Sequence, residues 1–368
     1  MTEIRIGLIG TGYMGKAHAV ALKSVASVFD TGLRPICETI CATTLEGARE
    51  KARAFGFNRA TDDWRTVVAD PAIDAVVIAS PQSTHMDIAI AAFENGKAVF
   101  CEKPLASHAE DCRRMMAAAE TSGLPNMTGF NYIRTPASQF AHDLVQSGRI
   151  GQIHYIRAEH TEDFLSDPQT PSHWRTKDIS NGCMGDLAPH IINAALRLAG
   201  PISSVSADIQ TVHSERPGAN GPEAVTNDDQ AHLMCRFQNG AMGHLFISRV
   251  ATGRKMGYAY EIYGDKGSIR FDQEDQNALW LYLAEGPEAE RGFRKILTGP
   301  AHPDYLPFCQ GPGHGTGYQD QIIIEMRDFL KAIETGTPVW PTFRDGLEVQ
   351  LVTEAAWKSS KTGTWATV

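Results

Sequence analysis

The chain has 368 residues, 42% hydrophobic and 21% charged, the balance of a soluble globular protein with room for two domains. A formal net charge of −9 excludes the basic stripe of a nucleic-acid binder. No apolar run approaches the roughly 18 residues of a membrane span. Seven cysteines, an odd number with no Cys-x-x-Cys pair, imply neither a disulfide framework nor a zinc ribbon. The N-terminal Met1-Thr2-Glu3-Ile4-Arg5-Ile6 enters a strand directly and lacks the pattern of a signal peptide, so a cytoplasmic protein is expected.

Over the first 130 residues short apolar runs alternate with helical patterns. Strands are predicted at 4–9, 33–38, 74–80, 98–102 and 125–130, and helices near 13–26, 45–56, 86–95 and 107–121. Ser107 with Glu110 three residues on forms a capping box, and Gly96 and Gly123 stand where helices end. Such alternation implies βαβ units and a parallel sheet covered on both faces. Beyond residue 150 alternating segments follow at 152–160, 202–212, 229–238, 241–250, 257–263 and 267–271, with Gln238-Asn239-Gly240 as a hairpin signal. This half reads as a large, mostly antiparallel sheet. Two helices, near 318–335 and 344–360, close the chain.

Gly10-Thr11-Gly12-Tyr13-Met14-Gly15 is a G-x-G-x-x-G run that follows a strand and opens a helix. In that context Gly10 makes the turn, Gly12 admits a pyrophosphate to the backbone and Gly15 brings helix and strand together. The helix N-terminus, with Tyr13 and Met14 in its first turn, offers N–H groups to phosphates. Glu38, at the predicted end of the second strand, has the spacing of the carboxylate that holds an adenosine ribose, which favours NAD over NADP; an ordinary solvated acid is the alternative. Glu102-Lys103-Pro104 follows another strand, at the edge where parallel sheets bind ligands. Farther on, Asp186 and His190 stand four apart, a spacing that on a helix sets a carboxylate beside an imidazole. A helix-surface pair is the bland alternative. These two residues lack a third partner for a metal, so no metal site is expected.

Taken in order, these motifs resemble the glucose–fructose oxidoreductase/inositol dehydrogenase/MocA (Gfo/Idh/MocA) family over nearly the whole chain. The resemblance is carried by the run at 10–15, Pro81 and His85, Glu102-Lys103-Pro104, Asn131-Tyr132 with Arg134, Trp174-Arg175, Asp186 with His190, and Glu261-Ile262-Tyr263-Gly264 leading to Lys266-Gly267-Ser268. It implies an α/β fold, with an N-terminal Rossmann domain over 1–130 and a C-terminal α+β domain over 131–368. The second domain's open sheet would mediate a homodimer or homotetramer. The glycine run, Glu38, Ser80, Pro81, His85, Glu102 and Lys103 would hold NAD. Lys103, Asn131, Tyr132, Arg134, Trp174, Arg175, Asp186, His190 and His314 would face the substrate.

By the same resemblance, Lys103 contacts the reacting hydroxyl, His190 accepts its proton and Asp186 is the acid beside it; which of Lys103 and His190 is the kinetic base stays open. The implied substrate is a sugar, anhydrosugar or cyclic polyol, oxidised to a ketone by hydride transfer. Gly12 to His18 and Gly313-His314-Gly315 resemble the branch that acts on pyranoses or anhydrosugars, with inositols and open-chain polyols as alternatives. Rival readings are a glycosidase of the same fold that keeps NAD bound and a non-enzymatic NAD-binding sensor. A sensor has no need of Lys103, Asp186 and His190 together.

Overall fold

The computed structural model describes all 368 residues. In chain order the elements are β1 (Thr2–Ile9), α1 (Tyr13–Val28), β2 (Leu33–Cys41), α2 (Leu45–Phe55), β3 (Arg59–Thr61), α3 (Trp64–Ala69), β4 (Ala75–Ile78), α4 (His85–Glu94), β5 (Ala98–Glu102), α5 (Ala109–Ser122) and β6 (Asn126–Gly129). There follow α6 (Pro136–Gln146), β7 (Ile153–Thr161), α7 (Cys183–Asp186), α8 (Ala188–Ala199), β8 (Ile202–Gln210), β9 (Glu215–Gly218), β10 (Gly221–Ala224), β11 (Gln230–Phe237) and β12 (Met242–Ser248). The last are β13 (Gly257–Gly264), β14 (Gly267–Asp272), β15 (Ala278–Leu283), β16 (Arg294–Leu297), α9 (Tyr318–Thr335), α10 (Phe343–Thr362) and β17 (Ala366–Thr367). They form two compact units, Met1–Arg134 with Gly317–Gln350 and Thr135–Thr316 with Leu351–Val368. The first unit thus runs a few residues past the expected division at 130 and also takes in Gly317–Gln350, which the expectation assigned to the second domain. Helix α9 buries Ile322, Ile324, Met326, Phe329 and Leu330 and belongs to the first unit, where Phe329 meets Phe100 edge-on at 5.8 Å.

The first unit is a six-stranded sheet in the order β3-β2-β1-β4-β5-β6, every pairing parallel. Its central strands are apolar on both faces, as helices on both sides require: every residue of β4 and β5 is buried. The order reverses between β1 and β4, the place where such sheets bind ligands. Helix α5 starts at Ala109 after His108, which makes no side-chain cap bond, so the expected Ser107 capping box is not formed. Gly123, at φ 66°, does end that helix.

The second unit is built on a nine-stranded sheet, β16-β15-β14-β13-β7-β12-β11-β8-β17. Every pairing is antiparallel except β7 with β12, which is parallel. The hairpin predicted at Gln238-Asn239-Gly240 joins β11 to β12, with Gly240 at φ 88°. Burial alternates along β11, with Ala231, Leu233, Cys235 and Phe237 inward, as period-two patterning predicts.

Candidate active site

The glycine run behaves as its spacing predicts. Gly10 has φ 108°, and a Cβ there would stand 2.3 Å from the Ala79 carbonyl oxygen. A Cβ on Gly15 would stand 2.2 Å from the carbonyl oxygen of Gly10, so only glycine lets α1 approach β1. A Cβ on Gly12, by contrast, would meet nothing within 4 Å. The middle glycine thus borders open space at the start of α1, whose first turn carries no acidic side chain. A cradle of N–H groups with room for a phosphate is what a dinucleotide needs.

Glu38 is a correction. Strand β2 runs on to Cys41, whose carbonyl accepts the Gly10 N–H at 3.0 Å. Glu38 lies three residues earlier, at a bulge where the register passes from Ile6↔Cys37 to Gly7↔Thr39. Its carboxylate is held by Arg5 at 2.9 Å, Asn58 at 3.0 Å and Arg59 at 2.8 Å. The Asn58 amide foremost, with Arg5 and Arg59, holds the carboxyl below its usual value against the opposing effect of burial. Glu38 is therefore a structural hub, and the residues past the strand end, level with Gly10, are Ala42, Thr43 and Thr44. Thr44 caps α2 by accepting the Gly47 N–H.

Ser80 and Pro81 follow β4 and Lys103 follows β5, on the same edge as the glycine run. The Ser80 hydroxyl lies 2.7 Å from that of Thr84. His85, expected to touch the cofactor, is instead a buried strut. Its Nε2 faces the Ser80 carbonyl at 2.9 Å and its Nδ1 faces those of Pro104 and Leu105 at 3.1 and 3.3 Å. Burial lowers its pKa, against the raising effect of the Ser80, Leu105 and Pro104 carbonyls and the Glu102 charge. It ties the Ser80 loop to the Lys103–Pro104 turn, whose peptide bond is cis. Glu102 also points inward, its Oε1 2.7 Å from His18 Nε2 and its Oε2 accepting the Lys103 N–H at 3.2 Å.

Beyond β6, Asn131 donates to Gln321 at 2.8 Å, and Arg134 pairs with Asp328 at 2.7 Å and donates to the Trp340 carbonyl at 2.7 Å. Both side chains are thus engaged with α9 and the segment after it, a structural use beside the substrate role expected of them. Tyr132 sits 6.1 Å from Tyr318, which in turn lies 5.9 Å from the exposed ring of Tyr13.

In the second unit Asp186 ends α7 and His190 falls in the first turn of α8, with Leu187 between the helices and Pro189 unable to donate. The single helix expected for the pair is therefore two. His190 is buried, and its ring meets that of His160 at 5.4 Å. His160 Nδ1 lies 2.9 Å from the Leu187 carbonyl. Arg175 reaches Asp186 at 3.4 Å and lies 4.2 Å over the exposed Trp174 ring, so these three candidates do come together. Beneath them lies a buried scaffold that sequence reasoning missed. Arg249 pairs with Asp229 at 2.9 Å and donates to the Arg175 and Asn181 carbonyls and to Asn227 Oδ1. Asp228 accepts the Met184 N–H at 2.7 Å. The signal available was the polar run Asn227-Asp228-Asp229 immediately before β11.

His314 is exposed, with Nδ1 3.3 Å from the Cys309 thiol. The long loop it belongs to is pinned by Tyr305, fully buried, whose hydroxyl donates to the Gly311 carbonyl at 2.8 Å and accepts the Gly315 N–H at 3.0 Å. No three of the chain's His, Cys, Asp and Glu side chains gather as a metal site would require.

Comparison with known proteins agrees with this geometry. Residues 4–130 match a family described as an oxidoreductase family with an NAD-binding Rossmann fold, and residues 138–270 match the GFO/IDH/MocA C-terminal domain. The chain is 39% identical to levoglucosan dehydrogenase of Pseudarthrobacter phenanthrenivorans, over 100% of this chain and 99% of that protein. It is 28% identical to myo-inositol 2-dehydrogenase of Thermotoga maritima, over 97% and 96%. The solved structure of levoglucosan dehydrogenase in complex with NADH and levoglucosan superposes with a TM-score of 0.97, at 39% identity, over 100% of this chain and 99% of that one.

Proposed function

The chain belongs to the Gfo/Idh/MocA family of oxidoreductases with an NAD-binding Rossmann fold, and from that premise we propose that it is a levoglucosan-type dehydrogenase, oxidising a ring hydroxyl of an anhydrosugar or pyranose to a ketone with NAD. The observation that carries this reading is end-to-end similarity to levoglucosan dehydrogenase, in a chain that keeps Lys103, Asp186 and His190.

Gly10, Gly12 and Gly15, with the first-turn N–H groups of α1, hold the cofactor's phosphates, flanked by Tyr13, Met14, Ser80 and Pro81. NAD bound there supplies the acceptor for a hydride. The protein's share is the proton and the pose. Removing hydride from a C–H bond requires its hydroxyl to lose a proton, and a neutral imidazole suits that task near neutral pH. His190 and Lys103 handle this proton, the lysine also stabilising charge that develops on the oxygen. Asp186, steadied by Arg175, favours the protonated imidazole that results. Trp174 offers a flat face for a sugar ring, with Tyr132 and His314 as further substrate contacts.

The same reading puts a cytoplasmic enzyme in a homodimer or homotetramer. All seven cysteines are free thiols, six of them buried, which suits a reducing compartment. No helix is long and apolar enough to cross a membrane. The outer face of the nine-stranded sheet exposes Met234 and Met242 beside His232 and Arg236, a surface that a second copy would cover. Light scattering with Met242→Asp tests the assembly. The activity is tested by NADH formation across anhydrosugars, pyranoses, inositols and polyols, with NAD and NADP in parallel. Sustained turnover of levoglucosan or a pyranose is expected. Silence from a protein that retains NAD after purification would overturn the reading in favour of a glycosidase or a sensor.

A further inference from the structure

Behind Lys103, wholly within the first unit, lies a cluster of ionisable side chains that the proposed reaction leaves unused. His18 of α1 is fully buried, its Nε2 2.7 Å from Oε1 of Glu102. The other oxygen of Glu102 accepts the backbone N–H of Lys103 at 3.2 Å. Neighbouring β6 leaves space for this carboxylate at Gly129, where a Cβ would stand 3.1 Å from Glu102 Oε1. From α9 comes Glu325, 0% exposed, with no hydrogen-bond partner for either oxygen from another side chain. Burial first, then the charges of Glu102 and Asp328, push its carboxyl well above the usual range, against Arg134 and the Phe130 N–H. Two ionised carboxylates sharing one dry site repel strongly, so one keeps its proton. Tyr318, His85 and Cys101 are the other titratable groups that feel the Glu102 charge.

We propose that Glu102, clamped by His18 on one oxygen and by the Lys103 N–H on the other, with Glu325 packed behind it, is a positioning residue that fixes the backbone from which Lys103 projects. This rests on the reading of Lys103 as the lysine of the reaction. His18 keeps Glu102 from swinging toward solvent. Neutral Glu325 fills its volume without contesting the charge, a role that an amide can take over and a methyl group cannot.

The test is the pH profile of kcat and KM for sugar oxidation by the full-length protein. Glu102→Gln is expected to cut kcat at least about tenfold with KM changed less than about threefold. Glu102→Asp, which keeps the charge but not the reach, should also lower kcat, and His18→Gln should follow Glu102→Gln. Glu325→Ala should lose several-fold in kcat and Glu325→Gln should recover most of that loss. An unchanged kcat in Glu102→Gln, or Glu325→Gln no better than Glu325→Ala, overturns the proposal. Lys103→Ala separates the two layers: normal turnover in that variant overturns the role of Lys103 itself, whereas a dead Lys103→Ala with an unchanged kcat in Glu102→Gln overturns the positioning alone.

Discussion

Replacing Arg249 with Met tests whether the buried scaffold of the second unit shapes the sugar side of the site. The guanidinium is 1% exposed and pairs with Asp229, which is 0% exposed. It donates further to the carbonyls of Arg175 at 2.6 Å and Asn181 at 3.1 Å and to Asn227 Oδ1 at 2.6 Å. Methionine fills most of the volume and supplies none of these donors. Asp229 keeps the Val212 and His213 N–H groups on Oδ2, but Oδ1 becomes a buried, uncompensated charge. Breaking a buried pair on one side costs about 3–5 kcal/mol. At roughly 2–4 °C per kcal/mol for a domain of this size, the second unit should melt about 6–20 °C lower. Calorimetry measures that shift. Since Arg249 also ties down the segment from Arg175 to Asn181, KM for the sugar should rise about tenfold or more, about 1.4 kcal/mol, with NAD affinity in the first unit unchanged. The double variant Arg249→Met/Asp229→Asn should recover at least half of the lost stability, because the stranded charge is gone. A single variant that melts like the parent, or a double variant no more stable than the single, would refute the reasoning.

Other outcomes follow from the first unit and from His190. Gly12→Ala should melt like the parent, since its Cβ meets nothing, while binding NAD at least about tenfold more weakly by fluorescence titration. Gly15→Ala, whose Cβ collides with the Gly10 carbonyl, should lose both NAD binding and about 1–3 kcal/mol of stability; retained stability would show that α1 can shift at little cost. Glu38→Gln should cost about 1 kcal/mol at neutral pH, given the exposure of Arg5 and Arg59, and leave the NAD-to-NADP affinity ratio unchanged. Because the folded carboxyl is held below its unfolded value, that stabilisation is present above the unfolded value and is lost as pH falls through the folded one, so the two proteins should converge in acid. A changed ratio would return the ribose contact to Glu38. His190→Asn should flatten the acid limb of the kcat profile and lower kcat by about two orders of magnitude or more; an intact profile would move the proton acceptor elsewhere.

The parallel sheet was legible because β4 and Ala98–Cys101 of β5 are unbroken apolar runs, and the cradle because Gly10 and Gly15 answer two steric demands while Gly12 borders open space. Glu38 misled for a local reason. Counting from Gly15 takes no account of a bulge or of where a strand stops, and β2 continues to Cys41 with Glu38 at its bulge. The structural use of Asn131 and Arg134 was hidden because their partners, Gln321 and Asp328, come almost 200 residues later in a helix that folds back onto the first unit. Helix α6 did carry a signal, Thr135 capping before Pro136 at the first helical position, and Thr135 accepts the Ser138 N–H as that pairing requires. Strands β3, β16 and β17 are two to four residues long and leave too little periodicity to read. Of the candidate site, Trp174, Arg175 and Asp186 do lie together, while the Arg249–Asp229 pair beneath them sits just outside the open end of the β11–β12 hairpin, where strand periodicity does not reveal a pairing.

The one parallel pairing in the large sheet has a bearing on how the chain reaches this state. On one side of β7, the strands β13 to β16 form a meander of neighbours; on the other, β11 and β12 form a tight hairpin beside β8. Each group can assemble from local contacts alone. β7 leaves the ribosome first but pairs with strands about 90 or more residues downstream, so its loop-closure entropy is large, exceeded in the sheet only by that of the two-residue β17 on β8. It is the seam that joins two ready-made half-sheets, and until both exist it is an exposed, strand-forming segment with no partner. Newly made chains are therefore most exposed to misassociation between the synthesis of β7 and that of β13.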